Sequence, residues 1–64
     1  MRVNGEEMLL GGACTLSEFL EREGYCTGRI AVELNGAVVP KSCYDTQILS
    51  EDDRLEIVTF VGGG

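Results

Sequence analysis

Two Asn-Gly pairs constrain the fold of this chain most strongly, because each favours the tight turn of a β-hairpin. Asn4-Gly5 and Asn35-Gly36 each stand between two short segments with strand character. Asn and Gly adopt the positive φ angles of a type I′ turn more readily than other residues. We therefore predict two hairpins, and Pro40 ends the second because proline lacks the N–H that a central strand requires.

Between the hairpins lies the one segment with clear helical periodicity. It opens at Thr15 and Glu18, which are spaced as a capping box, and Gly24 stands where a glycine commonly ends a helix. The apolar residues in between recur at the spacing of one helical face, and they are Leu16, Phe19 and Leu20. We predict a single helix of about ten residues.

Residues 54–61 form the run with the strongest β-strand character. Leu55, Ile57 and Thr59 are predicted to share one face of this strand, and Glu56, Val58 and Phe60 the other. Because a single helix covers one face of a sheet, we expect Val58 and Phe60 to meet solvent. Residues 41–49 are predicted to form a 3₁₀ turn and a brief edge strand. Tyr44, Ile48 and Leu49 should then cover the core.

The order of elements is strand, strand, helix, strand, strand, strand. A hairpin, a crossover helix and further strands close as a mixed sheet with the first and last strands parallel. The fold class is therefore α+β, a β-grasp or ubiquitin-like fold with four to five strands and one helix across one face. We assign residues 1–61 to this domain and residues 62–64 to an extended C-terminal glycine tail.

Composition excludes several classes of function. The 64 residues include 11 acidic and 5 basic side chains, and this formal charge of −6 disfavours nucleic acid and anionic lipid as partners. No apolar run is long enough to cross a membrane, so we expect a cytoplasmic protein. Cys14, Cys26 and Cys43 are widely spaced and the chain has no His, so we expect no metal site and three buried or half-buried thiols of unassigned role.

The chain ends in Gly62-Gly63-Gly64 directly after the last predicted strand. Glycine has no side chain, so such an end can enter a narrow channel and present its carboxylate to another protein's active site. Residues 32–36, 38–40 and 53–64 together resemble the pattern of the ThiS family, the sulfur carriers of thiamin thiazole synthesis. The resemblance is strong from residue 30 onward and weaker before it.

The resemblance implies a catalytic role for the Gly64 carboxylate. A ThiF-type, E1-like enzyme would adenylate it with ATP, and a cysteine desulfurase or a rhodanese-type donor would supply sulfur for a thiocarboxylate. A ThiG-type thiazole synthase would then take that sulfur. The protein itself would be a sulfur carrier, not an enzyme, and would bind no cofactor. In this family a glycine commonly stands where this chain has Asp52, and aspartate tolerates the left-handed conformation.

Val58, Phe60 and Val61 are candidate partner-binding residues, because a partner that grips the exposed face of the last strand would direct the tail. Ordinary half-buried packing is the alternative interpretation. Glu51, Asp52, Asp53 and Glu56 either steer a basic partner or form a solvated surface.

Three other functions remain open from the sequence. The chain also resembles the small subunit of molybdopterin synthase, which shares the fold and the tail but passes sulfur to a pterin precursor. A ubiquitin-like modifier would attach Gly64 to lysines of other proteins. A binding module of another kind would keep its function without Gly63 and Gly64.

Overall fold

The computed structural model describes residues 1–60. The strands are β1 (Arg2–Val3), β2 (Glu6–Glu7), β3 (Cys14–Thr15), β4 (Ile30–Leu34), β5 (Ala37–Val38), β6 (Ile48–Leu49) and β7 (Arg54–Thr59). The helix α1 spans Leu16–Arg22, and two 3₁₀ turns span Thr27–Arg29 and Lys41–Cys43. The predicted domain boundary between residues 61 and 62 lies outside the described residues.

Five strands form one mixed sheet in the order β2-β1-β7-β4-β5. β1 runs parallel to β7, whereas the pairs β1–β2, β4–β7 and β4–β5 are antiparallel. The register places Leu55 of β7 between Val3 of β1 and Leu34 of β4. The predicted mixed sheet with parallel first and last strands and one helix is therefore confirmed, and with it the β-grasp fold.

Both Asn-Gly pairs form the predicted turns. Asn4 and Asn35 each have a φ of 51°, and the glycines that follow them are also in the left-handed region. Each asparagine side chain adds a long-range bond, because Asn4 Oδ1 accepts the N–H of Ile57 at 2.7 Å and Asn35 Oδ1 accepts the N–H of Arg54 at 3.0 Å. The two turns are thus tied to the last strand as well as to their own hairpins.

The helix begins at the predicted capping box. The Thr15 N–H donates to Glu18 Oε1 at 2.8 Å, and the Glu18 N–H donates to Thr15 Oγ1 at 3.1 Å. These two bonds satisfy backbone donors that have no partner inside the helix.

Gly24 ends the helix, as predicted, in the left-handed conformation with a φ of +81°. Its N–H donates to the Glu21 carbonyl and the Tyr25 N–H donates to the Leu20 carbonyl, which together form a Schellman motif. The helix has 7 residues and is shorter than the ten predicted. Thr15 is its N-cap and Glu23 its C-cap, so these two residues and Gly24 are not counted in the helix.

One continuous core lies between the helix and one face of the sheet. Its largest fully buried side chains are Phe19, Leu10, Leu16, Leu20, Ile30, Leu49, Leu55 and Val32. Tyr44 and Leu49 cover the core as predicted. The prediction was wrong for Ile48, which is 56% exposed, because β6 pairs with β3 in a separate two-stranded sheet and turns this side chain outward.

The turn before β7 forms with Asp52 in it, and the Asp53 N–H donates to the Ser50 carbonyl at 3.1 Å. Asp52 has no positive φ, so the turn does not use the left-handed conformation there. Cys14 and Cys43 are half-buried as expected, but Cys26 is exposed because it precedes the surface 3₁₀ turn Thr27–Arg29.

Replacement of Asn4 by alanine should destabilise the fold more than replacement by glycine. Both variants lose the bond to the Ile57 N–H, but alanine must also adopt the left-handed conformation, at an extra cost of about 1 kcal/mol. Urea unfolding of the two variants and the native chain measures the difference. Equal free energies of unfolding for the two variants would contradict the assigned backbone strain.

Burial raises the pKa of the Tyr44 phenol above its ordinary value of 10.0. Above that pH the unfolded chain ionises first, so the stability contributed by the neutral phenol is complete below pH 10.0 and is lost as the pH rises toward the folded pKa. Tyr44→Phe should therefore lose less stability than the native chain between neutral and alkaline pH. Parallel losses in urea unfolding at both pH values would contradict the shift.

Candidate functional site

The strand that leads into the glycine tail lies at the centre of the sheet. β7 pairs with β1 on one side through Arg54 and Leu55, and with β4 on the other side along most of its length. Beyond the strand, the Phe60 N–H donates to the Arg29 carbonyl at 2.8 Å. The backbone is therefore held by hydrogen bonds up to the last described residue.

Val61, Gly62, Gly63 and Gly64 lie outside the described residues. The predicted roles of the tail, and of Val61 in partner binding, stay predictions. The last described residue, Phe60, follows β7 at the end of the sheet at which β4 begins.

Val58 and Phe60 are exposed on the face of the sheet opposite the helix, as the alternation predicted. Their exposed fractions are 56% and 53%. Across the strand pair, Val58 lies opposite Ala31, whose small side chain adds little height to the surface. Val38 on the edge strand β5 is 71% exposed and extends this apolar surface. We call Ala31, Val38, Val58 and Phe60 the outer patch; its role in binding a partner stays a prediction.

Two glutamates interrupt the outer patch. Glu33 of β4 and Glu56 of β7 lie directly opposite each other in the register, and both are exposed. In the described part of the chain neither carboxylate forms a salt bridge or a side-chain hydrogen bond. Like charges in directly opposed positions of a sheet destabilise it. This juxtaposition is therefore a cost to the folded domain.

The acidic turn before β7 has a structural role that its charge alone did not reveal. Glu51 Oε1 accepts the N–H of Leu10 at 2.8 Å, and Glu51 Oε2 lies 3.5 Å from the amino group of Met1. Asp53 accepts hydrogen bonds from the Ser50 N–H and from the Asn35 side chain. Glu51 and Asp53 thus hold loops in place, and steering of a partner by Glu51, Asp52, Asp53 and Glu56 stays a prediction.

The described residues hold no other assembled chemistry. Among residues 1–60, no three His, Cys, Asp or Glu side chains stand close enough together to bind a metal ion. The same residues include no helix with the length and apolar content to cross a membrane. Cys14, Cys26 and Cys43 are free thiols.

The mixed sheet, the single covering helix and the central position of β7 define a β-grasp domain. The ThiS family model matches residues 1–64. The chain belongs to the ThiS family.

Curated relatives include longer proteins. The chain is 40% identical over 62 residues to a thiazole synthase of Paramagnetospirillum magneticum and 39% identical over 64 residues to a thiazole synthase of Magnetococcus marinus. These matches cover 97% and 100% of the chain but 19% and 20% of the relatives, so the chain spans about a fifth of their length. A protein named ycf40 from Pyropia yezoensis is 33% identical over 64 residues, and 90% of it is covered.

Solved structures agree with this assignment. A crystal structure of the thiamine biosynthesis protein ThiS from Geobacter metallireducens has a TM-score of 0.82 and 29% identity, with 98% of this chain and 96% of that chain covered. A solution structure of a thiamine biosynthesis protein from the same organism has a TM-score of 0.79. The likeness extends to the first thirty residues, where the sequence pattern was weakest.

Sequence patterns missed two features of the site. The opposition of Glu33 and Glu56 depends on the register of β4 and β7, which alternation does not specify. The contribution of Val38 to the outer patch depends on the position of β5 at the sheet edge beside β4. The Asn35-Gly36 hairpin predicted that β5 adjoins β4, and it is the available signal for Val38.

Proposed function

We propose that this protein is a sulfur carrier of thiamin biosynthesis whose reactive group is the Gly64 carboxylate. The observation that carries the proposal is the join between a hydrogen-bonded central strand and a tail of three glycines. Membership of the ThiS family and the likeness to thiamine biosynthesis proteins support it. The folded domain is the part that partners bind, and the tail carries the reactive carboxylate.

A free carboxylate must be activated before sulfur can replace one of its oxygens. We propose that a ThiF-type, E1-like enzyme uses ATP to form an acyl-adenylate at Gly64 with release of pyrophosphate. The terminal sulfur of a persulfide on a cysteine desulfurase or a rhodanese-type donor then attacks the carbonyl carbon, and AMP leaves. A second thiol cleaves the resulting acyl disulfide, so that the thiocarboxylate stays on Gly64 and the other two sulfurs form a disulfide. Because ATP and these sulfur donors are found inside the cell, we also expect this protein to be cytoplasmic.

The chain itself supplies little to this chemistry, so it acts as a co-substrate of its partners and not as an enzyme. Its sequence has no His and no phosphate-binding Gly-x-x-x-x-Gly-Lys motif. Val58 and Phe60 are exposed apolar residues close in sequence to the tail. They provide a surface to which the activating enzyme can bind.

We propose that the sulfur acceptor is a ThiG-type thiazole synthase. In two relatives named thiazole synthase, a segment similar to this whole chain makes up about a fifth of a longer protein. Joining two proteins in one chain raises their effective concentration for each other, so such a union favours partners that act in sequence.

Removal of Gly63 and Gly64 should abolish activation without abolishing binding. The shortened chain keeps the outer patch, but it no longer brings a carboxylate to the activated position. Intact-mass analysis after incubation with ATP, the ThiF-type enzyme and a sulfur donor should show replacement of one oxygen by sulfur in the native chain and no change in the shortened chain. A native chain that stays unmodified, or that forms isopeptide adducts with lysines instead, would refute the carrier proposal.

Phe60→Asp should impair activation without unfolding the domain. The side chain is half exposed, so the substitution removes little core packing, but it places a charge in the surface that the partner would cover. We expect the KM for the carrier to rise at least tenfold, in keeping with the loss of a central interface residue. Pyrophosphate release measures activation, and thermal unfolding checks the fold.

Ile48→Asp is the matched control for Phe60→Asp. Ile48 is an apolar residue of similar exposure, but it lies on the separate β3–β6 sheet. Its replacement by the same charge should leave activation near the native level. Equal losses for the two variants would remove the outer patch from the proposed function.

A further inference from the structure

We propose that the exposed face of the sheet binds its activating partner through an arginine side chain of that partner, placed between Glu33 and Glu56. This inference rests on the proposed function and adds the chemistry by which the outer patch selects its partner. The partner surface that binds this face carries one guanidinium group surrounded by apolar side chains.

Glu33 and Glu56 lie directly opposite each other in the register of β4 and β7. The backbone bonds from the Asn35 N–H to the Arg54 carbonyl and from the Phe60 N–H to the Arg29 carbonyl fix which pairs of β4 and β7 exchange hydrogen bonds. By the alternation of an antiparallel ladder, Glu33 and Glu56 form such a pair, with a Cα separation of about 5.5 Å. The backbone therefore holds the two glutamates side by side in the sheet.

Within residues 1–60, neither carboxylate of this pair forms a salt bridge. Arg2 of the same sheet forms a salt bridge with Glu7, with 3.1 Å between Arg2 Nη2 and Glu7 Oε1. Arg54 lies two residues before Glu56 but forms no salt bridge in the part of the chain that the structure describes. A cation from outside would therefore remove a repulsion as well as add an attraction, which is charge complementarity of the kind that sets partner choice.

The surroundings of the pair favour a guanidinium over a metal ion. Val38 lies directly opposite Glu33, and Val58 lies two residues after Glu56, so exposed apolar groups flank the carboxylates. A hard metal ion needs about six or more oxygen ligands. A guanidinium is planar, weakly hydrated and common within interfaces, and its stem can pack on the valines.

The pair also lies on the strand that carries the tail. Glu56 precedes Phe60 by four residues, which is about 13 Å along a β-strand. Contacts at these two positions would fix the direction of β7 on the partner, whereas Phe60 alone would leave the domain free to rotate. Glu33 and Glu56 are thus positioning residues for the tail and have no direct role in the reaction.

The test compares two double variants that each remove two negative charges. E33Q/E56Q removes the opposed pair. E6Q/E21Q removes two exposed glutamates from the edge strand β2 and from the helix, and neither of these forms a salt bridge in the described residues. Calorimetry measures the Kd of each variant for the ThiF-type enzyme in EDTA without nucleotide, at low and at high NaCl concentration.

We expect E33Q/E56Q to weaken binding about tenfold at low salt and to reduce the salt dependence of the Kd, because a desolvated charge contact is lost. E6Q/E21Q should stay within about twofold of the native chain, as exposed charges outside an interface contribute little. Thermal unfolding of E33Q/E56Q should occur at or above the native temperature, because the repulsion is relieved. Should the double variant fail to fold, E33Q and E56Q are measured singly.

Three results would overturn the inference. E33Q/E56Q could bind as tightly as the native chain, or both double variants could weaken binding equally, in which case total charge and not the pair is responsible. Native binding that disappears in EDTA and returns with a divalent cation would assign the pair to a metal. In each case a native chain that is still converted to the thiocarboxylate leaves the proposed function intact. A native chain that is neither bound nor activated refutes both.

Discussion

The structure depends on the hydrogen bonding of β7 to strands on both of its sides. This last strand pairs with β1, from the start of the chain, and with β4, which follows the helix. Since neither neighbour is adjacent to it in sequence, the sheet forms only when both ends of the chain come together. The same pairing holds the backbone up to Phe60, whose N–H donates to the Arg29 carbonyl.

The two faces of the sheet differ in what covers them. One face packs on the helix and forms a core in which Phe19, Leu16 and Leu55 are fully buried. A domain of 64 residues has too little further apolar material for a second layer, so the other face stays open. Val58 and Phe60 lie on that open face beside the exit of the tail. The small size of the domain thus leaves one face of the sheet without a covering layer.

Short strands are held together by side chains that bond to distant backbone groups. Asn4 accepts the N–H of Ile57 and Glu51 accepts the N–H of Leu10, while Asp53 closes its own turn by accepting the N–H of Ser50. These bonds replace ladder hydrogen bonds that strands of two residues do not provide. Two of the acidic residues before β7 therefore stabilise loops, and their carboxylates are not simply a solvated or steering surface.

Local chemistry in the sequence determined the turns, the helix ends, the strand alternation and the glycine tail, because each depends on residues close together in the chain. Asn-Gly pairs specify left-handed turns, Thr15 and Glu18 specify the start of the helix, and the resemblance over residues 32–64 indicated the family. Tertiary structure decided the rest. The outward turn of Ile48 follows from the pairing of β6 with β3, and the opposition of Glu33 and Glu56 follows from the register of β4 and β7. Register and strand partners are set by packing between distant segments, so no local pattern specifies them.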